Sequence, residues 1–325
     1  MHAWMCHNPV GTDALQWQEV PTPAPATGQV RVAVKASSLN FPDILIVQNK
    51  YQFKPALPFV PGSEYAGVVE ALGEGVSGVK VGDRVMCMGG TGGFGTHALV
   101  PAAKLVPMPP SMSFEHGAAF LMTYGTSQHA LLDRGALKAG ETVLVLGAAG
   151  GVGTAAVQIA KAMGARVIAA ASTDEKCALC KQIGADATIN YSTENIRDAL
   201  KALTDGKGPD VVYDPVGGDL AEPVFRSIGW RGRYLVVGFA GGAIPSLPIN
   251  LALLKGAAIV GVFWGDFVRR EPQAFQRDMD QLAQWYAEGK VTPVMDQTLP
   301  LSELHAAYAR MGARQVVGKL VLLQP

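Results

Sequence analysis

Cysteine is scarce in this 325-residue chain: Cys6, Cys87, Cys177 and Cys180 are all it has. So few thiols exclude a disulfide-built scaffold and suit a reducing compartment, so a cytoplasmic location is expected. Cys177 and Cys180 form a C-x-x-C, but no second pair exists to complete a zinc site, and both fit a helix that follows a strand. Charge of one sign is not in excess either: 27 Lys plus Arg stand against 27 Asp plus Glu. Nucleic-acid binders usually carry a basic footprint, so no nucleic-acid partner is expected. Apolar runs such as 143–146 are too short for a bilayer, and the first ten residues lack the apolar core of a secretory signal, so no membrane partner is expected. No H-E-x-x-H occurs, and His97, His116, His129 and His305 stand isolated, so no metal is expected.

Apolar residues are plentiful, at 49% against 17% charged, which is enough for sizeable packed cores. The length suits about two domains. In the first third, 29–36 alternates apolar and polar residues as a half-buried strand does, and 65–71 and 83–88 read as further strands. Glycine-rich turns at 73–78 and 89–95 separate them, which suggests a β-barrel-like unit. The segment 114–133 is rich in Ala, Leu and Met and predicts a helix. From residue 142 onward strands and helices alternate. The strands are expected at 143–146, 167–171, 188–190, 211–214 and 232–238, with helices at 152–163, 173–183, 196–203 and 222–228 between them. That alternation predicts a doubly wound parallel sheet, an α/β fold. An apolar strand at 257–263, a helix at 272–288 and a closing strand at 318–323 complete the chain.

The stretch from Thr142 to Ala160 carries the functional argument. A buried strand runs into Gly147-Ala-Ala-Gly150-Gly151-Val152-Gly153 and then into an Ala-rich helix. Glycines let backbone N–H groups approach a pyrophosphate, and the helix N-terminus faces it with partial positive charge. Ala149, Gly150, Gly151 and Val152 are the candidates to do so. The spacing is G-x-x-G-x-x-G with an extra glycine, rather than the strict G-x-G-x-x-G. The next strand ends Ala169-Ala-Ala-Ser172, with no acid before Asp174. An acid at that strand end would hold ribose hydroxyls and repel a 2′-phosphate. Ser172 can donate to such a phosphate, Lys176 can supply charge, and Tyr191 can donate as well. The expected cofactor is therefore NADPH rather than NADH.

Together with Ser37-Ser-Leu-Asn40-Phe-Pro-Asp43, Pro61-Gly-Ser63-Glu64-Tyr-Ala-Gly67, Val81-Gly-Asp-Arg-Val85 and Gly232-Arg-Tyr-Leu-Val-Val-Gly238, this loop resembles the medium-chain dehydrogenase/reductase superfamily. Within it the chain looks like the zinc-free quinone oxidoreductase-like branch. Zinc-dependent relatives carry Cys in place of Asn40 and His in place of Ser63, and Asn and Ser are poor zinc ligands. The resemblance implies a Rossmann dinucleotide-binding domain at 119–259 and a GroES-like β-barrel domain at 1–118 and 260–325, with a cleft between them. It implies that Asn40 contacts the nicotinamide ribose or the substrate, and that Tyr51 stands at the cleft mouth. Thr123 and Thr126 would touch the cofactor. Gly238, Phe239, Phe263 and Trp264 would flank the nicotinamide, and Lys319 would reach the adenosine end. A homodimer paired through 257–263 is implied too.

Without zinc a carbonyl lacks its Lewis acid, whereas a quinone is already a strong electrophile. The expected reaction is hydride transfer from NADPH to a quinone, with orientation as the main contribution of the protein. The alternative is reduction of an activated alkene, an enone or enoyl thioester, with Tyr51 as proton donor.

Overall fold

Val30, Val32 and Val34 alternate with less buried residues along the strand Gln29–Ser38, which puts one face of this strand into a core. In the computed structural model, which describes residues 1–324, that strand is the centre of a seven-stranded sheet. The order is Met295–Pro300, Lys319–Leu323, Gln29–Ser38, Glu64–Leu72, Arg84–Met88 and Leu105–Pro107, with His97–Pro101 also paired to the central strand. All pairings are antiparallel except that of the two C-terminal strands, which run parallel. Val69, Val85, Tyr65 and Val100 close the core on one side of this sheet. A second core gathers Trp4, Leu39, Ile46, Phe94, Leu304 and Tyr308. Burying each such side chain contributes roughly 1.5–3 kcal/mol, so these two cores carry the unit.

The chain divides into two compact units, the first formed by 1–122 with the segment from 295 onward, the second by Thr123–Val294. Closure of the first unit by the tail strand matters for function. Val321 lies opposite Ser38, and Leu39 N–H donates to the Leu320 carbonyl at 3.1 Å. Residues almost three hundred positions apart in sequence thereby become neighbours.

In the second unit six parallel strands run in the order Ala187–Asn190, Arg166–Ala171, Thr142–Leu146, Val211–Asp214, Arg233–Val236 and Ala258–Gly261. The chain winds outward from Thr142–Leu146 in one direction and then returns to wind in the other. The strand order reverses between Thr142–Leu146 and Val211–Asp214, and the crevice beyond the strand ends at such a reversal is where α/β sheets bind ligands. The strands are apolar on both faces because helices such as Gly151–Ala162 and Ile196–Leu203 cover them.

Two expectations change. The segment 114–133 is not one helix: it is a helix Phe114–Ala118, a helix Leu121–Gln128 and a π-helical turn His129–Arg134. The break at 119–120 frees backbone donors at the start of the second helix, and Met122 N–H uses its own on the Glu64 carboxylate at 2.8 Å. The segment 260–294 was expected with the β domain, but it folds with the parallel sheet. Trp264 packs against Gly125, His129 stacks on Phe267 with ring centroids 4.0 Å apart, and Gln158 both donates to the Thr292 carbonyl and accepts from Thr292 N–H. Among the described residues no helix is long and apolar enough to cross a membrane.

Candidate cofactor and active sites

In the second unit, Gly147 ends the first strand with φ of 57°, a left-handed turn that favours glycine. Its carbonyl accepts from Gly150 N–H at 3.0 Å, closing the loop directly onto the helix Gly151–Ala162. A β-carbon on Gly153 would lie 2.3 Å from that same carbonyl oxygen, so only glycine lets the helix sit this close to the strand end. No side chain caps this helix. A turn of Ala149, Gly150, Gly151 and Val152 thus meets an uncapped helix N-terminus, the arrangement that receives phosphate. Behind the loop Ser127 donates to the Val152 carbonyl at 2.9 Å and bonds the Tyr213 hydroxyl at 2.9 Å, which fixes the first turn from the buried side.

The second strand ends at Ala171, and Thr173 caps the following helix by accepting from Lys176 N–H. Lys176 folds back so that Nζ lies 3.5 Å from Ser172 Oγ. Ser192, which the sequence reading did not single out, donates to the Ser172 carbonyl at 2.9 Å and joins Tyr191 beside it. Tyr191 N–H donates to the Ala171 carbonyl at 3.1 Å, and its ring packs on the core. The nearest acid, Asp174, is taken up by Asn190 Nδ2 at 2.7 Å. The strand end therefore offers hydroxyls and an ammonium.

Beyond the fourth and fifth strands two loops lock together. Asp214 Oδ1 accepts from Val216 and Gly217 N–H, both at 2.8 Å, while the Tyr234 hydroxyl donates to Oδ2. Burial and the charge of Asp214 push the Tyr234 phenol far up, so it stays a donor. Ala240 N–H and Gly241 N–H then bond the carbonyls of Pro215 and Val216, and Phe239 packs against Gly217. Gly238 and Phe239 thus belong to a braced double loop, with Asp214 and Tyr234 as the supports that sequence reading missed.

Other expected contacts separate. Phe263 is 58% exposed, whereas Trp264 is buried between Gly125 and Phe275. A β-carbon on Gly125 would come within 2.5 Å of the indole, so Trp264 packs closely on the helix Leu121–Gln128. Thr123 is buried and Thr126 half-buried on the helix Leu121–Gln128.

The first unit holds Asn40, Tyr51 and Lys319. Asn40 begins the helix Phe41–Val47, and its N–H is bonded by Asp43 Oδ2 at 2.9 Å. Its side-chain Oδ1 accepts from Lys319 Nζ at 2.6 Å, and its Nδ2 donates to Glu64 Oε2 at 2.9 Å and towards Ser38 Oγ at 3.4 Å. Lys319 also donates to the Leu39 carbonyl at 3.0 Å and to Glu64 Oε2 at 3.3 Å. Lys319 is 4% exposed and its ammonium has three acceptors, so in place of the expected reach to the adenosine end it stands beside Asn40. Burial pulls the Lys319 ammonium down from the usual lysine range, and Glu64 and Asp43 pull it back. Asp43 accepts from Ser63 N–H at 3.0 Å, and burial raises its carboxyl to about 6. Tyr51 is half-buried against the core, and burial with the Asp43 charge raises its phenol, so it carries its proton at neutral pH.

Comparison with known proteins places both units. The family described as alcohol dehydrogenase GroES-like domain matches residues 26–110, and that described as zinc-binding dehydrogenase matches residues 151–285. The sea anemone Nematostella vectensis has a quinone oxidoreductase-like protein 2 homolog that is 39% identical over 98% of this chain and 88% of its own length. The quinone oxidoreductase from Thermus thermophilus, solved also in complex with NADPH, superposes with a TM-score of 0.86 at 32% identity, covering 99% of this chain and 100% of that one. The CurK enoyl reductase superposes with a TM-score of 0.89 at 26% identity, covering 100% and 99%. Despite the description of the second family, the donor set around Asn40 does not fit zinc. An amide, a serine and a glutamate surround a buried ammonium 2.6 Å from Asn40 Oδ1, and a dication there would meet that positive charge.

Proposed function

The chain belongs to the quinone oxidoreductase-like branch of the medium-chain dehydrogenases/reductases, and from that premise we propose that it is an NADPH-dependent reductase delivering hydride to a quinone without zinc. The observation that carries the choice of cofactor is the strand end at Ser172. Two hydroxyls and the Lys176 ammonium gather there, while Asp174 is occupied by Asn190. This end suits a 2′-phosphate: the strand runs to Ser172 without an acid, and Asp174 turns one carboxylate oxygen to Asn190. Gly150, Gly151 and the uncapped helix suit the pyrophosphate, and the braced loop of Gly238 and Phe239 suits the nicotinamide.

When bound, NADPH supplies the hydride. The chain orients it and shields it from water; the hydride carries one hydrogen and both electrons to the quinone, and the single further proton of the hydroquinone comes from solvent. An acceptor screen with NADPH and NADH side by side tests the reading. Quinone turnover with NADPH at least tenfold above NADH is expected, and a strong NADH preference would overturn it.

A second reading is reduction of an activated alkene, supported by the likeness to the enoyl reductase. There the hydride goes to the β-carbon and the Tyr51 proton to the α-carbon. Turnover of a crotonyl-type thioester that is unchanged in Tyr51→Phe removes Tyr51 from that role.

We propose a homodimer paired through the edge strand Ala258–Gly261. Ile259 is 45% exposed on it, Phe263 58% just beyond it, and an apolar edge left open invites pairing. A monomeric mass in solution rules this out. A cytoplasmic location goes with the four cysteines, all buried and unbridged.

A further inference from the structure

We infer that Lys319 is a positioning residue for the reaction: paired with Glu64, it fixes the Asn40 amide so that toward a bound ligand Asn40 can only accept a hydrogen bond, from a ligand hydroxyl. This rests on the reductase reading above and assigns the chemistry of one contact within it.

The orientation of the amide is forced by its neighbours. An ammonium has donors and no acceptor, and an ionised carboxylate has acceptors and no donor. Lys319 Nζ at 2.6 Å must face the Asn40 oxygen, and Glu64 Oε2 at 2.9 Å must face the Asn40 nitrogen. A flipped amide would set carbonyl against carboxylate and NH2 against ammonium. Both hydrogens of Nδ2 are directed inward, to Glu64 and to Ser38. Oδ1 keeps one lone pair after Lys319 has used the other.

Glu64 and Lys319 are themselves held. Glu64 accepts from Ser38 Oγ at 2.8 Å and, through its second oxygen, from Met122 N–H at 2.8 Å. Lys319 is anchored to the Leu39 carbonyl, on the residue just before Asn40. Asp43, whose carboxyl titrates at about 6, ties down the Asn40 backbone from the other side. Glu64 is fully buried, Lys319 4% exposed and Asn40 6% exposed. A buried ion pair of this kind is weak as a source of stability, and its cost is justified where it specifies one geometry. Without the pair the Asn40 amide could present NH2 or oxygen alike, and a contact that needs an acceptor would be lost part of the time.

Two hydroxyl sources share this chemistry: the ribose of the cofactor and the hydroquinone formed from the acceptor. The test is a kinetic double-mutant cycle of Lys319→Met and Asn40→Ala, with thermal unfolding of every variant and KM measured separately for NADPH and for the quinone. Each single substitution should lower kcat/KM by roughly tenfold, the value of one hydrogen bond to the reacting complex. The double variant should fall no further than the worse single, because Lys319 acts through Asn40. Lys319→Met leaves Glu64 unpaired, so Asn40→Ala is also measured against Lys319→Met/Glu64→Gln, in which both members of the ion pair are gone. Coupling seen in the NADPH KM assigns the cofactor hydroxyl, and coupling seen in the inhibition constant of added hydroquinone, with the NADPH KM unmoved, assigns the hydroquinone. Additive losses near a hundredfold, or wild-type kinetics in Lys319→Met/Glu64→Gln, overturn the inference. A wild-type enzyme with no NADPH-dependent turnover would instead overturn the reductase reading, so the two failures are separable.

Discussion

Gly153 sits directly over Gly147: a β-carbon on the first would lie 2.3 Å from the carbonyl oxygen of the second and 2.7 Å from the Ala148 Cα. Both clashing atoms are backbone, so neither can rotate away. Gly153→Ala should push the helix Gly151–Ala162 off the strand end. A loss of about 1–3 kcal/mol in stability is expected, together with weaker NADPH binding, since the same shift moves the phosphate-facing turn. Denaturant unfolding and cofactor fluorescence titration check the two effects, and a variant with unaltered midpoint would contradict the geometry.

Ser172 and Lys176 stand 3.5 Å apart at the strand end. Lys176→Ala should raise the KM for NADPH roughly tenfold and leave that for NADH nearly still, because an exposed charge–phosphate contact contributes on the order of 1–2 kcal/mol. Ser172→Asp should go further and invert the preference, by placing a carboxylate against the phosphate and beside ribose hydroxyls. The effect of Lys176→Ala should shrink at high salt. Equal losses for both cofactors would mean that Lys176 serves the helix and not the phosphate.

The parallel sheet was readable because each strand is a short apolar run followed by an amphipathic helix, a local pattern. The glycine loop and the strand end at Ser172 were readable for the same reason, since strand, turn and helix are contiguous. Lys319 was misplaced because its partners Asn40 and Glu64 reach it only through pairing of the tail strand with Gln29–Ser38. No local pattern announces a contact across almost the whole chain. Likewise the break within 114–133 leaves Met122 N–H to the Glu64 carboxylate, a tertiary contact that composition does not carry. Asp214 and Tyr234 escaped notice because an acid at a strand end looks like any other until its loop closes over it.

We propose that Trp264 serves packing rather than the nicotinamide. Its indole fills the space above Gly125 and meets the Phe275 ring at 6.1 Å between centroids. Trp264→Ala should therefore cost roughly 3–5 kcal/mol of stability through the cavity it leaves. The KM for NADPH, measured well below the lowered unfolding temperature, should stay within about twofold of wild type, well under the roughly tenfold of a lost ~1.4 kcal/mol contact. A large rise in that KM with little loss of stability would return Trp264 to the nicotinamide.

Asp43 predicts a pH dependence with a defined sign. Its carboxyl titrates at about 6 in the folded chain because burial disfavours the anion more than the Asn40 and Ser63 N–H groups favour it. In the unfolded chain an aspartate titrates near ~3.9, so between about pH 4 and 6 the folded state holds the extra proton. Stability from this group is then greatest in acid and falls as pH rises through that window, by roughly 2–3 kcal/mol, and levels off above it. Other carboxylates with lowered values, such as Glu141 and Asp186, act with the opposite sign, so the comparison must be made against a variant. Asp43→Asn has nothing to titrate there. Subtracting its unfolding free energy from that of wild type across about pH 4 to 7 should leave a difference that declines toward neutral pH and is flat beyond it. A difference that rises with pH would show that the native state prefers the Asp43 anion, contrary to its burial.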